Sequence, residues 1–103
     1  MSANDTIKSL VTDNRIVLFM KGTADQPMCG FSMRAVSVLR AVGAPFKDVD
    51  VLADPQVREG IKTFSDWPTI PQLYVDQQFI GGSDIMMELY ENGELDKLVA
   101  PKA

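Results

Sequence analysis

The sequence predicts an α/β fold, a mixed sheet with helices on both faces. Three observations predict it. Segments with helical periodicity alternate with short apolar runs along the chain. The first half orders them strand, helix, strand, which closes as a right-handed crossover between parallel strands. The second half carries two strand-like segments separated only by Asp76-Gln77, the spacing of an antiparallel hairpin.

Ile7, Leu10 and Val11 follow the i, i+3, i+4 rule and predict an amphipathic helix over about residues 4–13. Ile16 to Met20 is a continuous apolar run, as expected of a strand buried on both faces. The polar stretch Lys21 to Met28, with Gly22 and Pro27, reads as a loop. A second helix is expected from about Cys29, turning Ala35, Val38, Leu39 and Val42 inward and ending at Gly43. Phe46 to Val51 alternates as a second strand. Asp54-Pro55 is a helix start, an N-cap followed by a proline whose missing N–H costs nothing in the first turn. That helix buries Val57, Ile61 and Phe64 and leaves Arg58 and Lys62 as neighbours on another face. Leu73-Tyr74-Val75 and Gln78-Phe79-Ile80 form the hairpin. Gly81-Gly82-Ser83-Asp84 introduces a helix that packs through Ile85, Leu89 and Tyr90 and stops at Asn92-Gly93. A last short helix with Leu95 and Leu98 ends before Pro101. The order is α-β-α-β-α-β-β-α-α, without repeats, linkers or low-complexity tracts.

At 103 residues the chain is expected to be one domain, residues 1–103, and 46% hydrophobic residues suffice for a core without disulfide or metal staples. A net charge of −4 argues against nucleic acid as a partner. The longest apolar run is far too short to span a bilayer, so no membrane is expected. Met1-Ser2-Ala3-Asn4-Asp5 lacks the features of a signal peptide. A cytoplasmic, reducing location is expected and suits a lone free thiol. Two absences narrow the chemistry. With no histidine, Ser/His and Cys/His catalysis and imidazole-bound zinc are excluded. With one cysteine, no disulfide forms within the chain, so Cys29 works with a thiol from elsewhere or serves the core.

A lone cysteine is commonly an inert, buried small residue. Here Cys29 follows a strand and a polar loop and stands where a helix begins, where unpaired N–H groups and the helix dipole favour a negative sulfur. Lys21 ends the strand that feeds the loop, close enough in sequence to add a cation, and Gly30 lets a ligand approach the backbone. In Trp67-Pro68-Thr69-Ile70-Pro71-Gln72, two prolines bracket Thr-Ile before a strand. This is either a rigid loop or a cis bond at Ile70-Pro71, which would turn the Ile70 backbone toward a peptide-like ligand. Gly82-Ser83-Asp84 is ordinarily a helix N-cap, yet its amides and the Ser83 hydroxyl could hold a carboxylate. Arg58 and Lys62 form a solvated face or supply cations for a second carboxylate. One acidic tripeptide thiol would use all these parts.

Cys29-Gly30-Phe31-Ser32 resembles the active site of the monothiol, CGFS-type glutaredoxins. Lys21-Gly22-Thr23, Trp67 to Gln72 and Gly81 to Asp84 match that family in order and spacing across nearly the whole chain. The resemblance implies a thioredoxin-like fold with a four-stranded sheet in the order 2-1-3-4 and a glutathione groove. It implies that Lys21 and Arg58 contact the glycyl carboxylate of glutathione. Ile70, before Pro71, would meet its cysteinyl unit, and Ser83 and Asp84 its γ-glutamyl end; Lys62 is a weaker match. Many members carry cysteine where this chain has Ser83, so second-thiol chemistry is not expected here.

Two functions then compete. Cys29 could exchange with a glutathione mixed disulfide, for which one cysteine suffices. Alternatively its thiolate ligates iron: a [2Fe–2S] cluster needs about four thiolate ligands. Two chains and two glutathiones would supply them, giving a homodimer when loaded and a monomer when empty. The resemblance favours the second reading, a carrier with at most weak oxidoreductase activity, acting in iron–sulfur cluster transfer and iron homeostasis. It implies BolA-like proteins and apo iron–sulfur proteins as partners, and marks the long loop Thr23–Met28 as a trait of the cluster-carrying class.

Overall fold

The structure, a computed structural model, describes residues 2–101. Its elements are α1 (Ala3–Asp13), β1 (Ile16–Met20), α2 (Gly30–Ala41), β2 (Lys47–Asp50), α3 (Pro55–Ser65), β3 (Gln72–Val75), β4 (Gln78–Gly81), α4 (Ser83–Glu91) and α5 (Glu94–Val99). The sheet runs β2-β1-β3-β4, with β1 parallel to β2 and antiparallel to β3, and β3 antiparallel to β4. This is the thioredoxin-like arrangement expected from the sequence.

The apolar run of β1 is explained by its central position. Ile16, Leu18 and Met20 enter a core shared with α2, α4 and α5, whereas Val17 and Phe19 enter a second core under α1 and α3. Successive side chains of a strand point to opposite faces, so a strand covered on both sides must be apolar throughout. β3 behaves likewise: Leu73 and Val75 serve the first core, Tyr74 the second. At the hairpin, Asp76 and Gln77 both adopt positive φ, 52° and 69°, matching the twist of the flanking strands.

Helix ends follow local chemistry. The Asp54 carboxylate accepts from the N–H groups of Gln56 and Val57 at 3.0 and 3.3 Å, satisfying two donors that the first turn of α3 leaves open. After α2, Gly43 (φ 70°) donates to the Arg40 carbonyl and Ala44 to the Leu39 carbonyl, the paired bonds that end a helix at a left-handed residue.

Ser2 caps α1 through its hydroxyl, and the helix begins at Ala3, within a residue of the expected start. Two expectations need correction. β2 is shorter at both ends than Phe46–Val51, although the Val51 N–H still donates to the Met20 carbonyl at 2.9 Å. In α4 the buried apolar residue is Met86, while Ile85 and Tyr90 are 38% and 39% exposed. The i, i+4 spacing of Ile85 and Leu89 fits either of two adjacent faces, and Ile85 is occupied elsewhere, lying over Gly81 so closely that a Cβ there would sit 2.7 Å from its own.

Candidate functional site

β1 ends at Met20, and the next eight residues carry the chain back to the helix that starts with Cys29. Gly22 takes φ 85°, and a side chain there would collide with the Gln26 carbonyl and Met28. Thr23 and Gln26 exchange backbone hydrogen bonds at 3.2 and 3.1 Å, and the Met28 N–H donates to the Lys21 carbonyl at 2.8 Å. β2 anchors this loop from the side. The Asp50 carboxylate accepts from the Gly22 N–H at 3.0 Å and Asp48 from the Ala24 N–H at 2.8 Å. The loop is thus held at several points, and so is the position of Cys29.

Cys29 is the N-cap of α2, half-buried, with extended backbone (φ −153°, ψ 156°). Its sulfur accepts from the Ser32 N–H at 3.3 Å and lies 3.3 Å from the Ser32 hydroxyl. Ser32 is fully buried, and its oxygen already accepts the Lys21 N–H at 3.0 Å. When the thiol ionises, the rotatable hydroxyl hydrogen is therefore available to the sulfur. Partial burial pushes the Cys29 thiol up. The Ser32 hydroxyl, the N–H groups of Ser32 and Phe31, and the Lys21 ammonium outweigh it, and the net shift is downward. A partly accessible, lowered-pKa thiol is a nucleophile and a soft metal ligand. Among the described residues no group of three or more His, Cys, Asp or Glu could hold a metal ion. No helix among the described residues is long and apolar enough to cross a membrane.

Beside the thiol runs a groove of about 410 Å³, within the roughly 300–1,000 Å³ of small-molecule sites. Lys21, Phe31, Arg58 and Lys62 line one part of it, the Trp67–Pro71 segment another, and Gly82 to Ile85 a third. The peptide bond Ile70-Pro71 is cis. Among the described residues, no hydrogen bond uses the backbone N–H or C=O of Ile70, which leaves both for a ligand. Lys62 pairs with Glu59 at 3.6 Å, and Arg58 has no ion pair among the described residues. With three cations and only Asp84 as an acid, the groove favours an anion.

Most of the residues singled out from the sequence thus come together: Lys21, Arg58, Ile70, Pro71, Ser83 and Asp84 all line the groove, as does the weaker match Lys62. Cys29 is not in its lining. It stands between Lys21 and Phe31, which are, and is joined to Lys21 through Ser32. Within Gly82-Ser83-Asp84, Gly82 is the N-cap of α4 and Ser83 is the helix's first residue. Sequence reasoning missed the role of Ser32. The available signal was a hydroxyl three residues into a helix capped by the thiol, where it faces the cap.

Comparison with known proteins agrees with this geometry. The glutaredoxin family profile matches residues 16–80. An uncharacterized monothiol glutaredoxin ycf64-like of Synechocystis is 56% identical over 93 residues, 90% of this chain and 87% of that protein. A probable monothiol glutaredoxin 2 of Rickettsia typhi is 50% identical, over 90% of this chain and 84% of that one. The solution structure of reduced poplar apo GrxS14 superposes with a TM-score of 0.79 at 48% identity, covering 90% of this chain and 85% of that one. A thioredoxin-like fold with one thiol at a helix start defines the class, and the chain belongs to the glutaredoxin family, among its monothiol members.

Proposed function

We propose that this protein binds glutathione in the groove beside Cys29 and carries a [2Fe–2S] cluster between two subunits, delivering it to apo iron–sulfur proteins and so serving iron homeostasis. The observation that carries the reading is the donor count. One half-buried thiol of lowered pKa is present, the sequence has no second cysteine and no histidine, and the neighbouring groove suits an anionic peptide. A soft thiolate at the surface fits a cluster as one ligand of about four, so the rest come from outside: a second Cys29 and two glutathione thiols. Met28, Phe31 and Met33, close to Cys29 in sequence, are 66%, 57% and 55% exposed, apolar surface that a second subunit or a BolA-like partner would cover. The empty form is then a monomer, and a reducing compartment such as the cytoplasm keeps the thiol free.

Within this reading Lys21 and Arg58 hold the glycyl carboxylate, the Ile70 backbone meets the cysteinyl unit, and Ser83 and Asp84 take the γ-glutamyl end. Cys29 supplies the metal-binding sulfur, whose ionised form the Ser32 hydroxyl and N–H favour.

The lowered thiol pKa also supports a second activity. The Cys29 sulfur attacks the glutathione sulfur of a mixed disulfide, and the substrate leaves as a thiolate. A second glutathione thiolate then attacks the Cys29–glutathione bond, restoring Cys29 and forming glutathione disulfide.

Anaerobic reconstitution with iron and sulfide separates the two. With glutathione present, a coloured species of dimer size is expected; without glutathione, or in Cys29→Ser, none. A protein that stays colourless and monomeric with glutathione refutes cluster carriage, and rapid turnover of a glutathionylated substrate by that monomer supports the exchange reaction.

A further inference from the structure

Gln72 opens β3 directly after the cis proline, and it is fully buried in a position where neighbouring strand residues are apolar. A buried amide is costly unless its groups are paired. Here they are. Its Nε2 donates to the carbonyls of Trp67 and Thr69, both at 3.1 Å, and its Oε1 lies 3.5 Å from the Tyr74 hydroxyl. The reverse amide orientation would set an oxygen against two carbonyl oxygens, so the surroundings allow only this one. Burial pushes the Tyr74 hydroxyl up to about 12, against a smaller pull from Ser65, which leaves it a donor at neutral pH. From the other end, the segment is fixed where α3 stops: the Trp67 N–H donates to the Lys62 carbonyl at 3.2 Å and to the Ser65 hydroxyl at 3.1 Å. Between these anchors lie Pro68, Thr69 and Ile70, the groove wall itself.

We infer that Gln72 is a positioning residue: its two amide hydrogens hold the Trp67–Thr69 backbone from beneath and so set the direction in which the Ile70 N–H and C=O face the groove. The inference rests on the groove being the glutathione site proposed above. It adds a residue that touches no ligand and acts only through the wall. A side chain that merely filled space would need no amide.

Gln72→Met and Gln72→Leu keep roughly similar volume without donors. Leu95→Ala is the comparison, a core lesion in the buried α5 contact, remote in sequence from the groove wall. Glutathione affinity is read from the fluorescence of Trp67, the single tryptophan, at a temperature where each variant is folded. Both Gln72 variants are expected to bind roughly fivefold or more weakly, the loss of about one hydrogen bond's contribution, while Leu95→Ala melts earlier but binds as the parent does. In the ligand-free protein, the amide resonances of Thr69 and Ile70 should move in the Gln72 variants and stay in Leu95→Ala. In the parent chain, both Gln72 side-chain amide hydrogens should exchange slowly with solvent. Rapid exchange there, or unmoved Thr69 and Ile70 resonances in a folded Gln72 variant, overturns the inference. If the parent binds no glutathione, the groove reading fails by itself, and the ligand-free spectra still decide the role of Gln72.

Discussion

At Cys29 the sulfur is approached by three hydrogen-bond donors within one turn of α2 and by one more distant cation, and the two kinds of partner respond differently to solvent. Donors in contact with the sulfur are little screened, whereas the Lys21 ammonium acts through water and weakens with salt. Ser32→Ala is therefore expected to raise the Cys29 pKa more than Lys21→Gln does. Only the Lys21 contribution should shrink at high ionic strength. The pH dependence of iodoacetamide alkylation measures this. The parent inflection should lie below that of a free thiol and move upward in Ser32→Ala; equal inflections in the two would remove Ser32 from the account. The sign for stability follows from the same shift. Because the folded pKa is the lower one, ionised Cys29 adds to folding stability above the unfolded thiol's pKa, and that contribution is lost as pH falls through the folded value.

Among the elements, β2 has a task beyond pairing with β1. Its two aspartates point their carboxylates at the loop that delivers the thiol, Asp50 accepting from both Gly22 and Leu52 at 3.0 and 2.9 Å. Asp50→Ala leaves two N–H groups without that acceptor and is expected to cost about 1–3 kcal/mol, read as a lower urea midpoint at unchanged slope. Backbone amide exchange should quicken at Gly22 and remain slow in β1. A variant as stable as the parent would mean that water replaces the carboxylate without loss. These acids were read from the sequence only as the alternating polar residues of a strand, because nothing in one chain tells a solvated aspartate from one that caps a loop 24 or 28 residues away.

For the molecule as a whole, closure depends on a contact between its distant ends. The Arg15 guanidinium meets Asp76 at 3.0 Å and donates to the carbonyls of Val99 and Leu98 at 3.1 Å, joining the entry to β1, the hairpin turn and the end of α5. Its side chain is 31% exposed, so part of this is screened, and Arg15→Met is expected to cost about 1–2 kcal/mol. The Arg40–Asp25 pair is as short, 2.9 Å, but 55% and 92% exposed, and Arg40→Ala should change stability by less than about 1 kcal/mol. Thermal melts of the two variants side by side test the difference; equal shifts would mean that solvent exposure does not decide the outcome.

The sequence by itself determined the order of elements, the central place of β1 and the identity of the thiol, because periodicity, caps and a single cysteine are local properties. It also marked seven residues that the fold gathers around one groove, Lys62 among them. Only the tertiary structure decided which face of α4 is inward, since Ile85 and Met86 are equally apolar and the choice depends on what lies over Gly81. Likewise, only the fold disclosed the buried hydroxyl of Ser32 beneath the sulfur and the amide of Gln72 beneath the groove wall. A polar side chain's work depends on the donors and acceptors that reach it across the chain, and that pairing exists only once the chain has folded.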